Sequence, residues 1–363
     1  MKILQITHYG SLTNYGALLQ AFALQEALKE LGHDVTLLRA SFSFNNVLKK
    51  WYKSPLRVFE TYRKIQKELQ AEKQNPRFFR EFAQQHMNLS SEEYHSHKDL
   101  LKANLYADAL VTGSDQVWSS KLAFPPYFLE FGPTNSIRFS YAASVGSKAR
   151  FDEKYLKQLK TKTSSFKGVS VREHDALLQC QKAGVDAILV PDPVMLFSKE
   201  DWIKKLSIPA TTNEEDKYCL VYTVSDKGVV LNESLIEYCK KNNLKIKIII
   251  SRKDQEILNE DIQICNPDIP TFISLINNAS KVVTDSFHGT VFSILCNTPF
   301  VVIPKNNYDS RFATLNEYFN ISNVYSKNDI SSALNHNVDF CPINEKLESL
   351  RTIGWDFLKQ MTE

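Results

Sequence analysis

Two α/β domains, each a parallel sheet flanked by helices and facing one another across a cleft, are what this sequence predicts. Three observations lead there. Short apolar runs of strand character alternate with segments whose apolar residues recur at helical spacing, the rhythm of βαβ units. Polar clusters fall repeatedly where an apolar run ends, and ligands of such sheets sit outside the carboxyl ends of the strands. At 363 residues the chain is too long for one core of ordinary size and suits two.

The first domain is expected over residues 1–205. "KILQIT" is an apolar strand, "HYGSLTNYG" a loop, and Ala17, Ala21, Leu24, Leu28 and Leu31 follow at helical spacing. Thr13 or Asn14 can cap that helix and Gly32 can end it. "DVTLLRA" resumes as a strand, which makes the loop from His8 to Gly16 a candidate wall of a site. From about 45 to 90 the pattern breaks into a basic segment of helical tendency, interleaved with aromatic residues from Trp51 to Phe79. Two readings stay open for it: solvated helices whose aromatic rings pack on the domain, or an amphipathic insertion resting on an anionic membrane surface or a lipid-linked substrate. The α/β rhythm then returns. "ADALVTGSDQVW" is a strand ending in Gly113, Ser114 and Asp115, and "IRFSYAASVG" one ending in Ser144 and Gly146. "GVSVREHDALLQCQKAG" is a strand that turns into a helix at Arg172 and Glu173, and "DAILVPDPVMLF" closes the half. Three polar strand ends in one half are what a binding cleft needs.

"KLSIPATTNEEDK" reads as a linker, and the second domain is expected over 214–343. "KYCLVYTV" and "LKIKIIIS" are strands and "NESLIEYCKKN" and "TFISLINNAS" helices. An amphipathic helix closes the chain over 344–363.

Composition narrows the function. A net charge of +3 on 363 residues is too small to argue for nucleic acid as a partner. Six cysteines without a close pair favour reduced thiols over a disulfide framework or a zinc site, and HExxH does not occur, so no metal is expected. The opening run "MKILQIT" reaches a polar loop by His8, too early for a signal peptide, and no stretch is long and apolar enough to span a bilayer. The expectation is a cytoplasmic protein with an option of peripheral contact at the inner membrane face.

The stretch "KVVTDSFHGTVFSILCNTPFVVIP", residues 281–304, sets a polar turn between two buried runs. Lys281 to Thr284 reads as a strand and Gly289 to Cys296 as an apolar helix. Ser286 and His288 then stand at a helix N-terminus, where the macrodipole favours an anion. The alternative is that Asp285 and Ser286 only cap the helix and His288 is a satisfied core residue. Ser286 and His288 are too near in sequence to predict a hydrolase triad.

The segments "NYGALLQAFALQEALKELGHDV", "VTGSDQVW", "SYAASVG", "SVREHDA", "PDPV" and "TDSFHGTVFSILCNTPFVV" occur in this order. Together they resemble the polysaccharide pyruvyl transferase family over nearly the whole chain, apart from the basic insertion and the extreme C-terminus. The resemblance implies two Rossmann-like domains of glycosyltransferase B-like architecture, with a C-terminal helix that can cross back to the first. It further implies transfer of the pyruvyl group of phosphoenolpyruvate to two hydroxyls of a sugar, in a cell-surface polysaccharide or its lipid-linked precursor, forming a ketal and releasing phosphate. Phosphoenolpyruvate is then a co-substrate and no cofactor is expected.

On that resemblance His288 of "SFHG" is the donor-side acid/base residue, with Ser286, Phe287 and Gly289 at the donor, and Arg172 of "SVRE" a two-pronged clamp for carboxylate or phosphate. Arg172 has the alternative of a strand-end ion pair with Glu173 or Asp175. Better-known members carry an arginine where this chain has Ser286, so Lys305 or Arg311 is expected to supply the missing charge. The acceptor side is expected to comprise Asn14, Tyr15 and Gly16, then Ser114, Asp115 and Gln116, with Ser144 beside them. Asp115 would orient or deprotonate a sugar hydroxyl, or else cap a turn, and Trp118 would stack on a sugar face. Two other functions fit the same architecture: a glycosyltransferase using a nucleotide sugar, and a noncatalytic polysaccharide-assembly protein.

Overall fold

The computed structural model describes residues 1–9, 14–40, 78–119, 125–149, 151–208, 217–224, 233–250, 262–303, 308–325 and 330–363. Residues 45–77 of the basic insertion and Lys305 therefore lie outside the described residues. The chain divides into two compact units: Met1–Thr13, Ala17–Pro193 and Ile353–Glu363 form the first, Asn14–Gly16 and Val194–Thr352 the second.

The first unit runs β1 (Lys2–Ile6), α1 (Tyr15–Glu30, whose first two residues fall to the second unit), β2 (Asp34–Ala40), α2 (Phe78–His86), β3 (Leu89–Tyr94), α3 (His97–Lys102), β4 (Ala109–Thr112), β5 (Ile137–Ser140), α4 (Glu153–Thr163), β6 (Ser170–Val171), α5 (His174–Ala183) and β7 (Ile188–Leu189). Its sheet has the order β3-β2-β1-β4-β5, every pair parallel. Bridges from Phe139 to Gly168 and from Ala143 to Val171 join the short β6-β7 pair to it. Chain order reverses between β1 and β4, and such a switch point opens the crevice in which α/β sheets bind ligands. The central strands β1 and β4 are mostly apolar runs buried on both faces, as a helix-covered parallel sheet demands. In α2 the described end of the insertion buries Phe79, Phe82 and Ala83, with Phe82 against Phe22 at 5.5 Å, so there the aromatic rings pack on the domain.

The second unit runs α6 (Lys199–Lys205), β8 (Tyr218–Thr223), α7 (Glu233–Lys241), β9 (Lys245–Ile250), β10 (Ile262–Cys265), α8 (Ile269–Asn277), β11 (Lys281–Thr284), α9 (Phe287–Leu295), β12 (Phe300–Val302), α10 (Ser310–Phe319), α11 (Ile330–Asn335) and α12 (Phe340–Thr362), whose last residues fall to the first unit. Its sheet repeats the plan, β10-β9-β8-β11-β12, all parallel, with the switch point between β8 and β11.

The expected bounds of 1–205, 214–343 and 344–363 can be set beside these units. Residues from Val194 onward join the second because Trp202 packs on Phe292 at 5.3 Å and donates its Nε1–H to the Val194 carbonyl. The closing helix is shared: Arg351 Nε donates to the Met195 carbonyl, while Phe357 faces Tyr141 at 6.2 Å and Met361 fills the space that a side chain at Gly168 would need. Among the described residues no helix is long and apolar enough to cross a membrane.

Candidate functional site

In the first unit the carboxyl ends of β1, β4, β5, β6 and β7 carry one polar cluster. Arg172, directly after β6, is 3% exposed and centres it. Its Nη1 lies 2.6 Å from Asp192 Oδ2, its Nε 3.5 Å from Glu173 Oε2 and its Nη2 3.8 Å from Asp115 Oδ1. Burial works against the guanidinium charge, but Asp192, Glu173 and Asp115 together hold its pKa above the ordinary value. Ser114 Oγ donates to Asp192 at 3.1 Å. Glu173 accepts from Ser144 Oγ at 2.7 Å and from the backbone N–H groups of Val145 and Gly146. Among the described residues, three carboxylates thus face one guanidinium.

Of the three, only Asp115 retains solvent access, its side chain 14% exposed where the Glu173 and Asp192 side chains have none. It sits at φ 60°, in the left-handed region that aspartate tolerates better than most residues, and its carbonyl accepts from the N–H of Val117 and of Ser144. Gln116 stands beside it, its amide against Gly146. His8, two residues past β1, approaches the same end: its Nδ1 lies 2.9 Å from the Tyr127 hydroxyl and its ring 4.4 Å from the tyrosine ring. Burial lowers the His8 pKa, opposed by the Asp115 charge; burial, helped by the same charge, raises that of Tyr127.

In the second unit the polar end of β11 leads into α9. The helix starts at Phe287, two residues before the expected start, because Ser286 caps it by accepting the Gly289 N–H at 3.2 Å. His288 is thereby the second residue of the helix and 7% exposed. Gly289 admits no Cβ: one would stand 2.5 Å from Thr284 Oγ1 and 2.9 Å from Tyr222 Cδ1, so its absence lets α9 lie close on the strands. Asp285 accepts the Val224 N–H at 2.7 Å and thus ties β11 to β8.

Gly16 lies against His288. A Cβ there would overlap the His288 ring and stand 2.7 Å from the His288 Cβ, so the imidazole lies on bare backbone. Gly16→Ala is expected to destabilise the protein by about 1–3 kcal/mol through overpacking, despite alanine's better helix propensity. In a His288→Ala background the same change should be neutral or stabilising. Thermal denaturation of the four proteins checks it, and an unchanged cost in the double variant would refute the contact.

Several expected site residues are corrected by their surroundings. Arg172 is in the first unit as the countercharge of buried carboxylates, not a free clamp for a donor; its ion-pair reading holds, with Asp192 and Glu173 as partners rather than Asp175. Trp118 is 1% exposed, stacked on Phe128 at 5.5 Å, its indole N–H given to the Tyr127 carbonyl, so no face remains for a sugar. Ser114 and Ser144 are fully buried braces of carboxylates rather than sugar contacts. Tyr15 is 3% exposed, stacked on Phe272 at 4.2 Å with its hydroxyl donated to the Pro267 carbonyl, and it is assigned with Asn14 and Gly16 to the second unit. Phe287 is buried against Phe312, and Ser286 is engaged as a cap. Arg311 is bound twice by its own neighbour Asp309, at 2.9 and 2.6 Å, which neutralises the charge it was expected to offer. His8 was legible only as the first residue of the loop expected to wall a site, and Asp192 only as a member of "PDPV", because no spacing rule links them to Asp115 and Arg172 across the sheet.

Known proteins can now be set beside this geometry. The family model described as polysaccharide pyruvyl transferase matches residues 14–307. No curated protein matches the chain. Among solved structures, the UDP-GlcNAc 2-epimerase of Methanocaldococcus jannaschii in complex with UDP-GlcNAc and UDP is similar at a TM-score of 0.56 and 15% identity, covering 100% of this chain and 99% of that one. A second structure of that epimerase gives 0.53 and 15%, covering 98% and 100%. Anabaena Alr3699/HepE in complex with UDP gives 0.51 and 11%, covering 99% and 95%. At such identities the likeness is one of fold: two Rossmann-like domains of glycosyltransferase B type.

Proposed function

This chain belongs to the polysaccharide pyruvyl transferase family, a family of enzymes, and from that premise we propose that it transfers the pyruvyl group of phosphoenolpyruvate to two hydroxyls of one sugar. The acceptor is a polysaccharide or its lipid-linked precursor. The observation that carries the reading is His288: a histidine on the first turn of α9, beside the switch point of the second sheet and backed by a glycine. A proton carrier there, next to the positive end of a helix, suits a donor that is an anion and must be protonated on carbon.

The reaction balances as follows. Carbon 3 of phosphoenolpyruvate receives a proton and becomes a methyl group, which leaves positive character on carbon 2. One sugar hydroxyl forms a bond to carbon 2 and loses its proton. The carbon–phosphate oxygen bond breaks, phosphate departs, and the second hydroxyl closes the ketal and loses its proton too. Of the two protons released, one matches that taken up by carbon 3 and one leaves with phosphate or solvent. In this proposal His288 delivers the proton to carbon 3, and Asp115, the carboxylate with solvent access, takes one from a hydroxyl. The exposed edge of the Asp115 carboxylate suits a neutral polyol whose hydroxyl donates to it. Acid–base chemistry of this kind calls for no cofactor.

Phosphate release from phosphoenolpyruvate should depend on a sugar acceptor and accompany a product with the mass of the sugar plus pyruvate less water. Binding of a nucleotide sugar, with no binding of phosphoenolpyruvate, would overturn the reading in favour of glycosyl transfer.

A further inference from the structure

Closing a ketal removes a proton from each of two hydroxyls, and one carboxylate would have to be emptied between the two attacks. Beside Asp115 stands a second group able to accept a proton. His8 follows β1 and Asp115 follows β4, the two strands that flank the switch point of the first sheet. Their chain segments are tied together, since Thr7 Oγ1 donates to the Ser114 carbonyl at 2.8 Å. Gln20 Nε2 holds the His8 carbonyl at 3.1 Å, and Tyr127 fixes the ring through Nδ1. His8 Nε2 is shielded from solvent and has no hydrogen-bond partner among the described residues. A buried N–H without an acceptor is rarer than a buried acceptor without a donor, so the proton belongs on Nδ1, given to the Tyr127 oxygen. That tautomer leaves a lone pair on Nε2. Burial keeps the imidazole neutral near pH 7.

Building on the pyruvyl transfer reading, we propose that His8 is a second catalytic base: Nε2 takes the proton of one attacking hydroxyl while Asp115 takes that of the other, and Tyr127 positions the ring. When His8 cannot act, the carbon 2 cation that follows phosphate loss waits for the second hydroxyl and is open to water. Water adds, gives up a proton, and the resulting hemiketal breaks to free pyruvate and the unmodified sugar. The signature of His8 is therefore the partition between ketal and free pyruvate, which a merely structural residue would not move.

The test uses the full chain with phosphoenolpyruvate and a panel of methyl glycosides of neutral hexoses, reading ketal, pyruvate and phosphate together. His8→Asn should lower ketal formation by about a hundredfold and raise the share of pyruvate among the products. Added imidazole should restore ketal formation in His8→Gly. Tyr127→Phe, which keeps the ring and removes the anchor, should shift the partition the same way by about tenfold, and it serves if a His8 variant fails to fold. Imidazole nitrogen shifts in the unaltered protein should show the proton on Nδ1. Ketal turnover and partition unchanged in His8→Asn, or a proton found on Nε2, would overturn the proposal while leaving pyruvyl transfer standing. Failure of the pyruvyl transfer reading shows differently, as no ketal from the unaltered protein with any glycoside, and it overturns both.

Discussion

His288→Ala is expected to lower acceptor-dependent phosphate release by about 10²–10⁴-fold while the protein remains folded, the range that a positioned proton carrier contributes. The fold should survive because Ser286, which caps α9, and Gly289, which lets the helix lie on the strands, are both retained. The substitution opens space over Gly16 and should cost no more than roughly 1–3 kcal/mol. Paired with Gly16→Ala, it separates presence of the imidazole from its placement: the alanine at 16 keeps the ring but displaces it. Turnover measured by phosphate release, with circular dichroism as the fold control, decides the matter. Near-normal turnover in folded His288→Ala would make His288 a core residue and remove the proposed acid.

Arg172→Met should have the largest effect on stability of any substitution considered. The methionine fills much of the volume but removes the guanidinium that Asp192, Glu173 and Asp115 share in a buried site. Breaking a buried ion pair from one side costs about 3–5 kcal/mol, a large share of a total stability of roughly 5–15 kcal/mol. For a unit of this size that lowers Tm by about 6–20 °C. Arg172→Met combined with Asp192→Asn should recover part of the loss, since it removes the carboxylate with the shortest contact to the guanidinium. A donor clamp predicts the opposite pattern: Arg172→Met would weaken phosphoenolpyruvate binding, leave Tm nearly unchanged and gain nothing from Asp192→Asn. Thermal denaturation and donor titration on the same three proteins distinguish the two roles.

The contrast between these residues shows what a sequence reveals. His288 could be placed because its neighbours in the chain build its environment: "KVVT" is the strand Lys281–Thr284, and Ser286 is the cap that turns it into a helix. The reading erred only in starting the helix at Gly289, since the cap lies three residues before the N–H it serves. "DVTLLRA" likewise coincides with Asp34–Ala40. By contrast, β3, with "LSSEEY" at an outer edge of the sheet, has no apolar run to announce it.

Arg172, Trp118 and Tyr15 read as site residues in the sequence because each lies in or beside a polar strand end, and strand ends are where ligands bind. Whether such a side chain faces a ligand or the interior depends on partners far away in sequence. Asp192 draws Arg172 inward, Phe128 and the Tyr127 carbonyl draw in Trp118, and Pro267 with Phe272 draws in Tyr15. The same long reach brings His8 to Tyr127, 119 residues on.

By itself the sequence determined the parallel α/β class, the two sheets and the position of each polar turn, because apolar periodicity and capping act over a few residues. Only the tertiary structure decided which polar side chains remain available for chemistry and which are spent on one another. Burying charge demands an opposite charge or a hydrogen bond within a few ångströms, and the chain meets that demand with residues from separate strands.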